Sequence, residues 1–195
     1  MDARRIDLFA AVVEVTNRCN FRCPFCASDS GCARADEMSL DELKGVVRDL
    51  RALGCREFAM LGGEFILRKD DFGYFPMTPK LRFLCQRWNG CAAGRHVIGI
   101  RANGDVLPCL SLGHQFIEDN LRRRPLAEIW NDPNSFAQFR HKEEHLTGPC
   151  AKCPFGSRCK AGCSAMAISQ TGTLTETPFC IRQLETERII KEMTK

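Results

Sequence analysis

Cys19-Asn20-Phe21-Arg22-Cys23-Pro24-Phe25-Cys26 sets three thiols within eight residues and supplies no fourth. Sulfur-only donor sets of this density suit zinc or an iron-sulfur cluster. A structural zinc knuckle is built from Cx2C pairs that close a tetrahedron, and the Cx3C gap and odd count here provide no local fourth partner. A cluster held by four cysteines is a closed electron carrier. One held by three keeps an iron open, where a substrate or cofactor can bind.

The composition supports metal ligation. Thirteen of the 195 residues are cysteine, in clustered spacings, which argues against a secreted disulfide framework and for ligands kept reduced in a cytoplasm. Hydrophobic residues make up 44%, enough for a core in one domain or two small ones. Arg4 and Arg5 precede an apolar run, but Asp7 and Glu14 interrupt it, so it reads as a buried strand and not as a targeting segment. No apolar run reaches the roughly 20 residues that span a bilayer, and no membrane partner is expected. The formal charge of +4 counts every cysteine as neutral. With eleven thiolates on three clusters whose cores carry roughly +2 each, the charge falls by about 5, to about −1, so no nucleic-acid partner is implied.

Working outward from the octet, Ala10 to Val15 is short, apolar and β-branched, as expected of a buried strand delivering the cysteines at its C-terminal end. That end is where parallel α/β folds bind ligands. Ser39-Leu40-Asp41-Glu42 reads as a capping box. Leu40, Leu43, Val46, Val47, Leu50 and Leu53 then repeat at helical spacing until Gly54. Glu57 to Leu61 completes a βαβ unit with parallel strands, and Gly62-Gly63-Glu64 follows at once. Further on, Val97 to Arg101 and Asp105 to Leu107 predict a hairpin through Asn103-Gly104, a pair favoured in type I′ turns. Short helices are expected over Pro125 to Trp130 and Pro133 to Lys142, and a final helix over Ile181 to Lys195 packing on the cysteine-rich part. Cys55 reads as a small buried hydrophobe, Cys32 as a loop thiol, and His96, His114, His141 and His145 as surface or hairpin residues.

The octet, with Phe25 before its last cysteine, resembles the radical S-adenosylmethionine (SAM) family. Gly62-Gly63-Glu64 looks like that family's GGEP motif, which holds the amino group of SAM, with Phe65 in place of the proline. A second resemblance covers about 100 residues. Cys91-x12-Gly104-x4-Cys109, the run Cys150-x2-Cys153-x5-Cys159-x3-Cys163, and Cys180 look like a SPASM domain, to which Cys85 adds the upstream eighth ligand. The resemblance implies a SAM-binding cluster on Cys19, Cys23 and Cys26, auxiliary cluster I on Cys85, Cys91, Cys109 and Cys163, and auxiliary cluster II on Cys150, Cys153, Cys159 and Cys180. A pair of zinc sites is the alternative for the second set.

The fold implied is α/β: a truncated partial radical SAM (βα) barrel over residues 1–75, a connection at 76–84, a SPASM domain with a hairpin and short helices over 85–182, and a C-terminal helix at 183–195. The function implied is reductive cleavage of SAM to a 5′-deoxyadenosyl radical for hydrogen abstraction, with a peptide or protein substrate and a flavodoxin or ferredoxin as electron donor. The alternatives are a multi-cluster electron-transfer or scaffold protein that does not cleave SAM, and a zinc-stabilised interaction module. A full barrel repeats its unit about six times at roughly 30 residues each, yet only twenty residues, Phe65 to Leu84, separate Glu64 from Cys85. Two parallel strands would leave an apolar edge and face uncovered, so an oligomer or partner chain is expected to complete the barrel.

Overall fold

The computed structural model describes residues 7–18, 26, 29–61, 90–177 and 180–194. Contacts divide the chain into two units: Met1–Ile66 with Ala92–Arg140, and Leu67–Cys91 with His141–Lys195.

In the first unit, strand β1 (Ala10–Glu14) leads to helix α1 (Leu40–Ala52) and strand β2 (Glu57–Leu61). Both halves of the Ser39/Glu42 capping box form, so two otherwise unpartnered N–H groups are satisfied. Arg122 reaches the same carboxylate at 2.7 Å and holds the Glu42 carboxyl down to about 2, the Ser39 bonds adding to the effect. Val46 and Leu50 are buried and Leu43 and Leu53 pack against the core, whereas Leu40 and Val47 face solvent. Cys55 packs against the same core, half-buried.

The hairpin joins this unit and does not stand apart with the C-terminal cysteines. Strand β3 (Val97–Ile100) pairs in parallel with β1, Ala10 beside Val97 and Val13 beside Ile100. Strand β4 (Asp105–Leu107) and strand β5 (Asp119–Asn120) follow antiparallel, giving the order β2-β1-β3-β4-β5. Of the edges that two parallel strands alone would leave, that of β1 is covered by β3, while on β2 Phe58 and Met60 remain 42% and 66% exposed. The turn also departs from expectation. Gly104 donates to the Arg101 carbonyl at 2.9 Å and has φ +87°, but Asn103 does not take a positive φ. A type I turn followed by a left-handed glycine results, in place of type I′. Asn103 instead accepts from the Asp105 amide and donates to the Asp105 and Asp36 carboxylates, which favours this geometry.

Helices α2 (Leu126–Asn131) and α3 (Ala137–Arg140) close the first unit. Leu126, Ile129, Trp130 and Phe136 join Ala11, Val13, Ile98 and Ile100 in one core. Buried Arg140 lies over the Trp130 and Phe136 rings and donates to the carbonyls of Gly94 (2.9 Å), Asp132 (2.8 Å) and Trp130 (2.7 Å). One guanidinium thus satisfies three carbonyls, one at Gly94 and two at the C-terminal end of α2, in a fork that lysine cannot copy.

The second unit holds short helices α4 (Gly148–Ala151), α5 (Gly156–Cys159) and α6 (Ser164–Thr171), then α7 (Ile181–Met193). The C-terminal helix forms as expected but does not bury an apolar face. Leu184, Ile189, Ile190 and Met193 are all exposed; at 3.6 residues per turn Ile189, Ile190 and Met193 share one side of the helix and Leu184 lies on the other. Its first turn is held by Arg182 over the Phe155 ring. Among the described residues no helix is long and apolar enough to cross a membrane.

Replacing Arg140 by methionine leaves three carbonyls, two of them in buried bonds, without their donor and is expected to destabilise the protein by about 3 kcal/mol, with Arg140→Lys intermediate. Urea unfolding of the metal-loaded protein, followed by circular dichroism, measures this. A loss below about 1 kcal/mol would show that water replaces the guanidinium.

Candidate iron-sulfur centre

The register of β1 with β2 and β3 brings three strand ends level, Glu14 beside Leu61 and Val13 beside Ile100. The octet leaves from β1 and Gly62-Gly63-Glu64 directly from β2. Cys19, Cys23, Phe25, Gly62, Gly63, Glu64 and Cys85 themselves lie outside the described residues. Cys26 is exposed, and the Ser30 N–H donates to its sulfur at 3.3 Å. Such a bond stabilises charge on a thiolate and is one of the levers on a cluster's potential. Cys32 is also exposed. At the end of β3, buried Arg101 meets His114 Nδ1 at 2.7 Å and donates to the Leu112 carbonyl at 3.1 Å. Burial, helped by Arg34, lowers its affinity for a proton, against the pull of Glu14 and Asp105. His114 is exposed, the surface residue expected, and this contact ties it to Arg101.

Cys109 follows β4 in this unit, where the chain crosses β3 closely. A Cβ on Gly99 would stand 2.7 Å from the Leu110 nitrogen, so only glycine admits the crossing.

The second unit gathers the other described cysteines. The charges of Cys150, Cys153, Cys159 and Cys180 act on one another, which places the four thiols of the expected second auxiliary set in one neighbourhood. Burial is the main cause that pushes Cys159 up to about 12, and it raises Cys150 and Cys180 as well. Such thiols lose their protons when a metal takes them and hold them otherwise. Among the described residues, no three His, Cys, Asp or Glu side chains are drawn tightly enough together to hold a single ion. A Cβ on Gly90 would lie 2.8 Å from the Arg158 carbonyl, so the chain entering Cys91 passes directly against the end of α5.

Between Cys159 and Cys163 the chain makes a left-handed turn, with Lys160, Ala161 and Gly162 at φ +54°, +52° and +68°. Lys142, 2% exposed, donates to the Gly162 carbonyl at 3.3 Å and to Ser164 Oγ at 3.1 Å. Burial pulls the proton affinity of this ammonium down, while thiolates at Cys91, Cys163, Cys159 and Cys150 act to raise it. Sulfur-only donors around a buried cation suit a polyanionic thiolate cluster.

Parallel strands, one of them leading into the cysteine octet, together with a second cysteine-rich unit define an α/β protein with many candidate metal-ligating thiols. Residues 13–118 match the family model of the radical SAM superfamily, and the chain belongs to that superfamily. Residues 91–154 match SPASM, an iron-sulfur cluster-binding domain. SAM and iron-sulfur clusters are the cofactors these two matches imply. The chain is 38% identical over 93 residues to an AdoMet-dependent heme synthase of Methanosarcina barkeri, covering 47% of this chain and 26% of that protein. It is 36% identical over 94 residues to a PqqA peptide cyclase of Xanthomonas oryzae pv. oryzae, covering 46% and 24%. The chain therefore spans about a quarter of the length of the curated relatives it matches. Streptococcus suis SuiB bound to its precursor peptide SuiA shares the fold, with TM-score 0.60 at 13% identity over 90% of this chain and 76% of that one.

Sequence reading missed Lys142 and Arg101. Lys142 lies in a charged run, Lys142-Glu143-Glu144, that reads as a solvated face, and only tertiary burial distinguishes it. Lys142→Met is expected to leave the thiolate charge uncompensated and to weaken metal retention about tenfold or more. Timed iron loss to a chelator tests it, and wild-type kinetics in the variant would assign Lys142 to packing alone.

Proposed function

We propose that this chain is a radical SAM/SPASM iron-sulfur enzyme that reductively cleaves SAM to abstract hydrogen from a peptide or protein substrate. The observation that carries the reading is the level alignment of the β1 and β2 ends, from which the Cx3Cx2C and Gly62-Gly63-Glu64 segments both depart. A cofactor spanning the two motifs needs that adjacency. In this reading Cys19, Cys23 and Cys26 hold the SAM-binding cluster and leave one iron open. Phe25 would count among the cofactor-binding residues, and Gly62, Gly63 and Glu64 would accept the SAM ammonium through backbone carbonyls and the carboxylate. SAM bound at the open iron and reduced supplies a 5′-deoxyadenosyl radical. Cys85, Cys91, Cys109 and Cys163 would hold auxiliary cluster I, and Cys150, Cys153, Cys159 and Cys180 auxiliary cluster II, for three 4Fe-4S clusters in all. The division by sequence motif into residues 1–75, a connection at 76–84, 85–182 and 183–195 belongs to the same proposal, with the β3–β4 hairpin of the third part packing in the first compact unit.

A peptide substrate draws support from the names of the PqqA peptide cyclase and of SuiB with its precursor peptide. A reducing cytoplasm with flavodoxin or ferredoxin as donor suits the reduced cysteines. Exposed Phe58 and Met60 on the outer strand β2 favour a second copy or a partner chain completing the barrel. A second reading, a multi-cluster electron carrier without SAM cleavage, is favoured by the short interval Phe65 to Leu84.

Anaerobic reconstitution is expected to give about 12 iron and 12 sulfide per chain, and deoxyadenosine once SAM and dithionite are added. Combined Cys19→Ala, Cys23→Ala and Cys26→Ala should remove about a third of the iron and every response to SAM. Fewer than about 6 irons, or stoichiometric zinc, would overturn the three-cluster assignment, and full iron without deoxyadenosine would select the electron carrier. Glu64→Ala should weaken SAM binding at unchanged iron content, as isothermal titration can show. If iron fell with it, the carboxylate would be supporting the cluster instead.

A further inference from the structure

The chain on either side of the octet is drawn together by one carboxylate. Glu37 Oε1 accepts from the Asn17 N–H at 2.7 Å and the Arg34 N–H at 3.0 Å, and Glu37 Oε2 accepts from the Thr16 hydroxyl at 2.9 Å. Thr16 in turn accepts from the Arg18 N–H at 3.1 Å. Asn17 carries the contact onward. Its carbonyl accepts from the Gly31 N–H at 2.9 Å, its Nδ2 donates to the Asp29 carbonyl at 3.4 Å, and its Oδ1 accepts from Ser30 Oγ at 3.4 Å. Arg18 and Gly31 pair as an isolated parallel bridge. The next link is the Ser30 N–H on the Cys26 sulfur. A continuous path of hydrogen bonds thus runs from Glu37 through Asn17 and Ser30 to Cys26.

Glu37 is itself fixed from behind. Arg122 Nη2 donates to its carbonyl at 3.4 Å, and the next residue, Met38, is buried and donates its N–H to the Ala102 carbonyl beyond β3. Burial raises the Glu37 carboxyl, but the Asn17 and Arg34 amides, Thr16 and Arg18 outweigh it and hold the group below its ordinary range, so it is an anion at neutral pH. Bonds from N–H groups to a charged acceptor are about twice as strong as neutral ones, and a loop base made of them is rigid.

We propose that Glu37 is the positioning residue of the SAM-binding cluster: it clamps the strand that enters the cysteine loop to the chain that leaves it, and so keeps the Ser30 N–H on Cys26. The inference rests on the reading of Cys26 as a ligand of that cluster. Glu37 touches no ligand itself and acts through Asn17 and Ser30. Losing the N–H from a thiolate ligand disfavours the reduced, more negative cluster, so the potential moves downward.

The test uses the full reconstituted chain. In Glu37→Ala the amides of Asn17, Gly31 and Arg34 are expected to exchange with deuterium about tenfold faster or more, while those of β3 and β4 keep wild-type protection. The SAM-sensitive electron paramagnetic resonance signal should broaden, with its midpoint potential shifted negative and the auxiliary signals unchanged. Glu37→Gln keeps an oxygen for the Asn17 and Arg34 amides and should recover most of both readouts. Ser30→Pro, which removes the N–H on Cys26 together with the hydroxyl bond to Asn17 but leaves the Glu37 bonds to Asn17 and Arg34 in place, should reproduce the potential shift without the change in exchange at Arg34. Wild-type exchange and potential in Glu37→Ala would overturn the inference, as would loss of protection throughout β3 and β4, which makes Glu37 a general fold residue. If the triple cysteine variant loses no iron, the functional reading falls, and this inference with it. A wild-type match in Glu37→Ala, with the triple variant losing iron as expected, removes the inference alone.

Discussion

Parallel pairing of β3 with β1 is the constraint on which the first unit depends. Ala10 stands beside Glu57 on one flank and Val97 on the other, so β1 becomes an interior strand whose ladder groups are satisfied on both sides. Its alternate residues Ala11 and Val13 share a core with Ile98 and Ile100 and with Val46 and Leu50 of α1. A slip of one residue would turn all of these outward, so the same apolar set that makes the core also levels the strand ends where the motifs emerge. Packing and the placement of chemistry are consequences of one register.

The second unit is governed by charge. Its described residues offer few large buried hydrophobics and many thiols, and a small cysteine-rich unit of this kind draws folding free energy from ligation. Sulfur anions in a protein interior repel one another and need a fixed opposite charge. Lys142 supplies one at the centre, bonded to the carbonyl and hydroxyl that flank Cys163, and Lys160 lies buried beside Glu143 at 2.6 Å. The ammonium of Lys142 also orients the turn that separates Cys159 from Cys163. Electrostatics and backbone conformation are coupled at that point.

Local chemistry was legible in the sequence and long-range pairing was not. The Ser39/Glu42 box, the strands at 10–14 and 57–61 and the hairpin each carry a signal within a few residues, and each formed. Nothing local says that Val97 pairs with Ala10, because a parallel partner leaves no imprint on either strand beyond apolarity. Cysteine spacing groups the hairpin with the residues that follow it, and only the fold shows that its first strand, β3, pairs with β1. Asn103-Gly104 pointed to one turn and formed another, since the Asn103 side chain found partners in Asp105 and Asp36. Cysteine spacing proposed ligand groups, and the four thiols at 150, 153, 159 and 180 do share a neighbourhood. The residues that organise those groups escaped notice. Glu37 and Lys142 are ordinary charged residues in ordinary charged stretches, and their meaning comes from what folds onto them.

The left-handed turn at Lys160, Ala161 and Gly162 has a consequence for how the spacing of Cys159 and Cys163 is kept. Two of its three residues carry a Cβ, and each stores roughly 1–2 kcal/mol in that conformation. A segment strained in this way closes only against a gain made elsewhere. Buried Lys142, donating to the Gly162 carbonyl and the Ser164 hydroxyl, supplies part of that gain, so the distance between two sulfurs is set by a side chain eighteen residues upstream of the turn.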